Sequence, residues 1–303
     1  MAFDHTPYDG TTQPFTVGLG PIEETCWMEP DDHLVAHLER KAALLRTARD
    51  AVFRQEEGTA DAQAETLELI VEHLRRCHSN RYDVSKVELQ PVGLDPSFLG
   101  RDSSPLVTAA QLVQEDLILM RPGADGYRLA AACLCFPSSW SLAEKFSQSM
   151  HDIHAGVPGF NTGRVGAIVG RIFENLKVGQ LIGRFNWSIY DDDELHHPQT
   201  KRIDPTGNQG NAGFLAQLFM RVERQTLRRL PGSGDILFTI KNHHDPLAAL
   251  SKDPRRIELA DGLKSQLLGL DRDQLAYKGL SVHLGAMVRE LEMLAASEEG
   301  ATA

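Results

Sequence analysis

Cysteine is scarce in this chain: Cys26, Cys77, Cys133 and Cys135 are the four among 303 residues, and their spacing is irregular. With no secretory leader ahead of them, they fit a reducing, cytoplasmic setting better than a disulfide framework. Long apolar runs are also missing. None approaches the ~20 residues needed to cross a bilayer, so no membrane segment is expected. Basic residues are outnumbered, 31 Lys and Arg against 42 Asp and Glu, for a net charge of −11. A general nucleic-acid binder needs a basic surface to displace phosphate counterions, so the charge argues against that class while permitting a basic partner protein. Neither G-x-x-x-x-G-K nor G-x-G-x-x-G occurs and there is no internal repeat, which leaves direct nucleotide binding unsupported. The remaining composition, 42% hydrophobic and 24% charged, is that of a globular protein able to bury a substantial core in one large domain or two.

Residues 1–30 are rich in Gly, Pro and Thr without periodicity and read as an extended arm laid over the fold. Residues 31–57 and 61–77 carry helical spacing, with Leu34, Leu38, Ala42 and Leu45 in the first and Leu67, Ile70, Val71 and Leu74 in the second. His73 and His78, among arginines, read as exposed. From about residue 84, Pro91, Pro96, Gly100 and Pro105 break the chain, and Leu106-Val-Thr starts a short helix or strand. Residues 114–121 and 126–136 are apolar segments about the turn Pro122-Gly-Ala-Asp-Gly126, which predicts an antiparallel hairpin. Cys133 and Cys135 alternate within it as small core residues or a metal pair. Residues 254–270 and 281–298 read as helices.

Between them lies the stretch from Cys133 to Gly159. Ser141 and Glu144 form a capping-box pattern after a Pro-Ser-Ser-Trp turn. A helix from Ser141 then puts Leu142, Phe146, Met150 and Ile153 on one side, with His154 at its edge and His151 nearly opposite. Gly156, Pro158 and Gly159 stop it directly after His154. A histidine at the end of an apolar helix beside a glycine-lined gap suits an axial ligand of a metal macrocycle; equally, it suits a core histidine bonded to a backbone carbonyl.

Residues 181–191 alternate as a strand, with Leu181, Phe185, Trp187 and Ile189 on one face and Arg184, Asn186 and Ser188 on the other. The polar face meets water or lines a cavity for carboxylates or oxygen. The following loop, Asp191 to Pro198, with His196 and His197, is a metal-binding or simply an acidic surface loop. Residues 211–230 have the spacing of an amphipathic helix, in which Arg221, Arg224 and Arg228 form either a surface ladder with Glu223 or a cofactor's anion-binding face. A strand follows from Asp235 to Ile240, and His243 and His244 are expected in an exposed turn.

Tyr127-Arg-Leu-Ala, Cys135-Phe-Pro-Ser-Ser-Trp140, Glu144-Lys145, Ile153-His154 with Val157-Pro158-Gly159, Arg184-Phe-Asn186-Trp187, the run from Arg221 to Pro231 and Tyr277-Lys278-Gly279 together resemble the haem-dependent oxidative N-demethylase alpha-subunit-like family. The resemblance spans most of the chain. It implies an α+β, PAS-like fold: a curved five-stranded antiparallel sheet holding haem against short helices in residues 84–250, an N-terminal arm and helices over 1–83, and C-terminal helices over 251–303. It further implies a monooxygenase that oxidises a small secondary methylamine such as dimethylamine with O2 and releases formaldehyde. His154 would be the metal ligand of haem b, with Arg184, Asn186, Arg221 and Arg224 holding the cofactor. Glu223 would hold or deprotonate the amine, and Arg224 would polarise bound oxygen or pair with a propionate. Electrons would come from partner reductase subunits bearing FMN, an iron–sulfur cluster and an NADPH site. The alternatives are a haem-binding PAS-type gas or redox sensor, a non-catalytic ligand-binding protein, and a family member that has lost haem.

Overall fold

The computed structural model describes residues 3–100, 102–204 and 213–296. In chain order the strands are β1 (Gly20–Pro21), β2 (Phe53–Gln55), β3 (Tyr82–Asp83), β4 (Gln90–Pro91), β5 (Asp116–Gly123), β6 (Gly126–Cys133), β7 (Leu181–Tyr190), β8 (Phe219–Arg229) and β9 (Ile236–Pro246). The helices are α1 (Leu34–Thr47), α2 (Arg49–Val52), α3 (Ala60–Cys77), α4 (Pro105–Ala110), α5 (Leu142–Lys145), α6 (Met150–Ile153), α7 (Arg164–Asn175), α8 (Arg256–Gly269), α9 (Arg272–Tyr277) and α10 (Leu284–Ala296). The fold is α+β. Its centre is a seven-stranded antiparallel sheet in the order β1-β7-β8-β9-β5-β6-β2, and β3 and β4 form a separate small hairpin. The sheet exceeds the expected five strands because β1 and β2, from the N-terminal third, add one strand to each edge.

Three corrections follow from the sheet. Residues 219–229 form strand β8, between β7 and β9, rather than a helix; residues 211 and 212 of the expected helix lie outside the described residues. The misleading signal was the spacing of Arg221, Arg224 and Arg228 at three and four. A strand with buried residues on both faces has no apolar-polar alternation to reveal it, and here the guanidinium groups of Arg221 and Arg224 are satisfied by backbone carbonyls. Similarly, β9 runs on past Ile240 through Asp245, so His243 is a buried strand residue and not part of an exposed turn. Residues 53–55 leave the expected first helix to pair with β6, because Phe53 packs into the core while Arg54 points away.

Helices cover the two faces unequally. On one face, α1, α3 and α4 pack on Leu117, Leu119, Ala131, Cys133 and Leu237, and farther along α8 and α10 pack on Trp187, Ile189, Met220 and Val222. His73, expected at the surface, is buried here against Trp27, with ring centroids 5.2 Å apart. On the other face, α5 to α7 cover only the part made by Ile118, Met120, Ala132, Leu227 and Ile236. Arg229 fixes α7 there, donating to the carbonyls of Phe173 (2.6 Å) and Leu176 (2.5 Å) at the helix's C-terminal end.

One ion pair joins the N-terminal helices to the sheet. Lys41 is fully buried in α1, its Nζ 3.8 Å from Asp116 Oδ1 and bonded to the carbonyls of Val113 (2.9 Å) and Glu115 (2.5 Å). Asp116 accepts the backbone N–H groups of Cys135 and Phe136, both at 2.8 Å. Burial raises its pKa and Lys41 opposes that shift. Removing one partner strands the other without water, so Lys41→Met is expected to destabilise the fold by about 3–5 kcal/mol, read by urea unfolding at neutral pH.

Candidate functional site

The α5–α6 region begins as the spacing predicts, with the Ser141–Glu144 capping box formed in both directions (3.3 and 3.1 Å). It does not continue as one helix. Ser147 adopts φ 61°, and the chain restarts at Ser149, whose Oγ accepts the N–H of Asp152 (3.2 Å). Phe146, Met150 and Ile153 still pack towards the same core, because two single turns separated by a kink keep them on one side.

His154 ends the second turn. Its Nδ1 lies 2.9 Å from the Met150 carbonyl, which can only accept, so Nδ1 carries the proton and Nε2 keeps its lone pair. Phe160 stacks on the ring at 4.0 Å between centroids with 11° between planes, and fixes its tilt. Burial lowers the His154 pKa, with Lys145 and Arg184 adding to the effect. A neutral, oriented imidazole with a free Nε2 has the state that metal ligation requires.

Opposite the short helices, the uncovered part of the sheet face is polar. Strand parity puts Arg184, Asn186 and Ser188 of β7 beside Gln225, Glu223 and Arg221 of β8, with Ile240, Asn242 and His244 of β9 beyond. Glu223 Oε2 accepts from Asn186 Nδ2 (3.1 Å) and Gln225 Nε2 (2.9 Å), and the described residues give no bond to its Oε1. The Arg184 guanidinium makes no hydrogen bond or ion pair among the described residues, and its Nε is buried. Lys201 Nζ is likewise buried without a partner, 4.3 Å from the centre of the Tyr190 ring, and burial holds its pKa well below the usual lysine range. Arg221 differs. It is fully buried, and its donors are taken by Asn242 Oδ1 (3.1 Å) and the carbonyls of Leu195 (2.9 Å) and Phe136 (2.7 Å).

Arg224 is not part of this group. Adjacent strand residues point to opposite faces, so it lies across the sheet from Glu223. There its Nε pairs with Glu29 Oε1 (2.9 Å), and its other nitrogens hold the carbonyls of Trp27 (3.0 Å) and Cys26. The family resemblance had implied site roles for both Glu223 and Arg224; on β8 they fall on opposite faces. In the Asp191–Pro198 loop, His197 Nε2 lies 3.1 Å from Asp192 Oδ1 and His196 Nδ1 lies 2.7 Å from the Cys135 carbonyl.

Beyond its short pairing with β1, the outer edge of β7 is met by the arm and by the segment after α9. Lys278 Nζ donates to the Trp187 carbonyl (2.6 Å) and sits 4.3 Å from the Trp187 ring centre. Residues of the arm from Asp4 to Gly18 enclose a cavity of about 320 Å³ against Arg184 to Trp187. Burial pushes the Lys278 pKa down to about 8, against an attraction from Glu223. The unfolded chain then holds more protons between about 8 and 10.5, so this group's contribution to stability rises with pH over that window. Relative to Lys278→Met, the wild type is expected to gain on the order of 2–3 kcal/mol from pH 7.5 to 10.5, measured by urea unfolding.

Sequence reasoning singled out His154, Arg184, Asn186, Arg221, Glu223 and Arg224 but not Lys201, Tyr190 and Lys278. Tyr277-Lys278-Gly279 contributed to the resemblance without suggesting a role, and Lys201 stands in a stretch with no pattern. Among the described residues, no helix is long and apolar enough to cross a membrane.

A family model described as "Haem-dependent oxidative N-demethylase, alpha subunit-like" matches residues 18–288, nearly the whole span that carries these groups. The match supports a haem-dependent oxidative N-demethylase alpha-subunit-like activity, and an alpha subunit implies other subunits. The chain belongs to the haem-dependent oxidative N-demethylase, alpha subunit-like family.

Proposed function

We propose that this protein is a haem-dependent monooxygenase that N-demethylates a small secondary methylamine such as dimethylamine, with haem b bound between His154 and the polar face of a PAS-like sheet. The observation that carries the reading is a free, oriented His154 Nε2 on a ring close enough to feel the Arg184 charge, together with buried nitrogens of Arg184 and Lys201 that lack hydrogen-bond partners among the described residues. The donor set fits a dianionic porphyrin. Arg184, Lys201, Arg221 and Lys278 all sense the single Glu223 carboxylate, so the wall around it is predominantly basic, as a group carrying two propionates requires. Arg184, with an unused guanidinium fork, is the residue suited to a propionate, and Asn186 supports the same wall. Arg221 stiffens that wall from beneath, since its own donors are already engaged.

When bound, haem supplies the oxygen and one-electron chemistry that oxidises an N-methyl carbon. His154, its tautomer set by the Met150 carbonyl, would hold the iron. Glu223 presents Oε1 to the amine while Asn186 and Gln225 hold Oε2, so the carboxylate is aimed before the substrate arrives. It takes the proton of the secondary ammonium, because only a free amine has the lone pair that assists oxidation of its methyl carbon. In balance, dimethylamine, O2, two electrons and two protons give methylamine, formaldehyde and water. The electrons come from partner reductase subunits carrying FMN, an iron–sulfur cluster and an NADPH site, in the cytoplasm. Arg224 braces the arm from the other face and has no contact with substrate in this reading.

Oxygen uptake by the haem-loaded protein with a reductase system tests this directly. Uptake that depends on dimethylamine and matches formaldehyde release mole for mole is the expected outcome. Gas binding without turnover of any secondary methylamine would instead make the protein a haem-based sensor.

A further inference from the structure

Across the sheet from the haem face, three metal-ligating side chains from distant parts of the chain converge: His5 of the arm, Glu29 before α1 and His243 of β9. His5 Nε2 is 2.8 Å and His243 Nε2 3.7 Å from the same oxygen, Glu29 Oε2, and all three ligand atoms lie within 4.8 Å of one another. The two imidazoles meet edge to face, 4.7 Å between centroids. His243 is 9% exposed, and its Nε2 is buried without a hydrogen-bond partner. A buried ring nitrogen aimed at a carboxylate it does not reach leaves a gap of the kind an ion fills.

We propose that His5, Glu29 and His243 form a second metal site, for a borderline divalent ion of the zinc type. Zinc bonds of about 2.0–2.2 Å at a tetrahedral centre put neighbouring ligand atoms about 3.4 Å apart. The 3.7 Å pair needs to close slightly, and the 2.8 Å pair opens as a hydrogen bond gives way to coordination. Two histidines and one carboxylate leave a position for water, the donor set that zinc and related ions accept. Arg224 is an outer partner: its Nε holds Oε1, the oxygen turned away from the ion, and fixes the carboxylate's direction. Its positive charge, and that of Lys241 beside Asp31 (2.8 Å), oppose a cation. Asp31 and Asp4, both close enough to act on Asp245, offset them together with Asp245 and Glu29.

The position gives the ion a task. His5 begins the arm that walls the cavity along β7, and coordination would staple that arm to β9, the neighbour of β8 in the sheet. The site is independent of the haem reading, because it uses none of the same residues and lies on the opposite face.

Titration of chelator-treated, full-length protein with Zn2+, followed by calorimetry and metal analysis, tests it. One equivalent beyond any bound iron, with Co2+ giving the d–d bands of a four- or five-coordinate nitrogen–oxygen site, is expected. His243→Ala and His5→Ala should each weaken that binding at least about 100-fold, while the exposed His151→Ala leaves it unchanged. His5→Ala keeps the test decisive if His243→Ala does not fold, since His5 belongs to the arm. A protein that binds no zinc, or binding that survives His5→Ala, overturns the site.

Discussion

His154→Ala is expected to abolish tight haem binding and the Soret band that accompanies it, while leaving the protein folded. The loss should exceed the about 10–100-fold caused by disturbing a metal ligand's support, because here the ligand itself is removed. The fold should survive. His154 is half-buried at the end of a single helical turn, its ring touches Phe160 alone among aromatic side chains, and its one side-chain hydrogen bond goes to Met150 of the same turn. Exogenous imidazole should restore the spectrum, filling the space left by the side chain. Equal haem affinity and an unchanged spectrum in the variant would remove His154 as ligand. A spectrum that is lost but not rescued by imidazole, in a protein with wild-type circular dichroism, would point to a collapsed site.

The second large effect is expected at Glu223. Glu223→Gln preserves size and can still accept the bonds from Asn186 and Gln225, but cannot take a proton from the amine. Amine-dependent oxygen uptake should fall by about 10²–10⁴-fold, the range for loss of a positioned base, with haem content and visible spectrum retained. Arg224→Met is the informative contrast. Those two positions are adjacent in sequence, yet the second variant should lose on the order of 2–3 kcal/mol of stability through freed carbonyls at Cys26 and Trp27, and keep its turnover per haem at temperatures where it is folded. If Arg224→Met instead lowers turnover as Glu223→Gln does, the assignment of opposite faces to opposite tasks is wrong.

How much of this was legible in the sequence depended on how strongly local pattern constrains the chain. The β5–β6 hairpin announced itself through turn residues, and β7 through an alternation visible because one face is apolar and the other polar. The capping box at Ser141 fixed the start of α5. By contrast, β8 read as a helix, because its arginines recur at helical spacing and both of its faces are buried; only knowledge of the carbonyls that receive those arginines distinguishes the two. The joint roles of Glu223 and Arg224 came instead from the family resemblance, which does not say on which face of a strand each side chain lies. His243 and His5 were illegible for another reason. Their convergence on Glu29 depends on contacts between the arm, the segment before α1 and β9, which no local spacing encodes. Lys201 is similar: its relation to Tyr190 is wholly tertiary.

The most direct measurement is haem stoichiometry in the full-length protein, from pyridine haemochrome absorbance against protein concentration after reconstitution and gel filtration. One b-type haem per chain is the result that follows from a free His154 Nε2 together with the unpartnered Arg184 of β7 and Lys201 of the segment between β7 and β8. A folded, monodisperse protein that retains no haem would contradict the central claim, and would leave the buried nitrogens of Arg184 and Lys201 still in need of a partner.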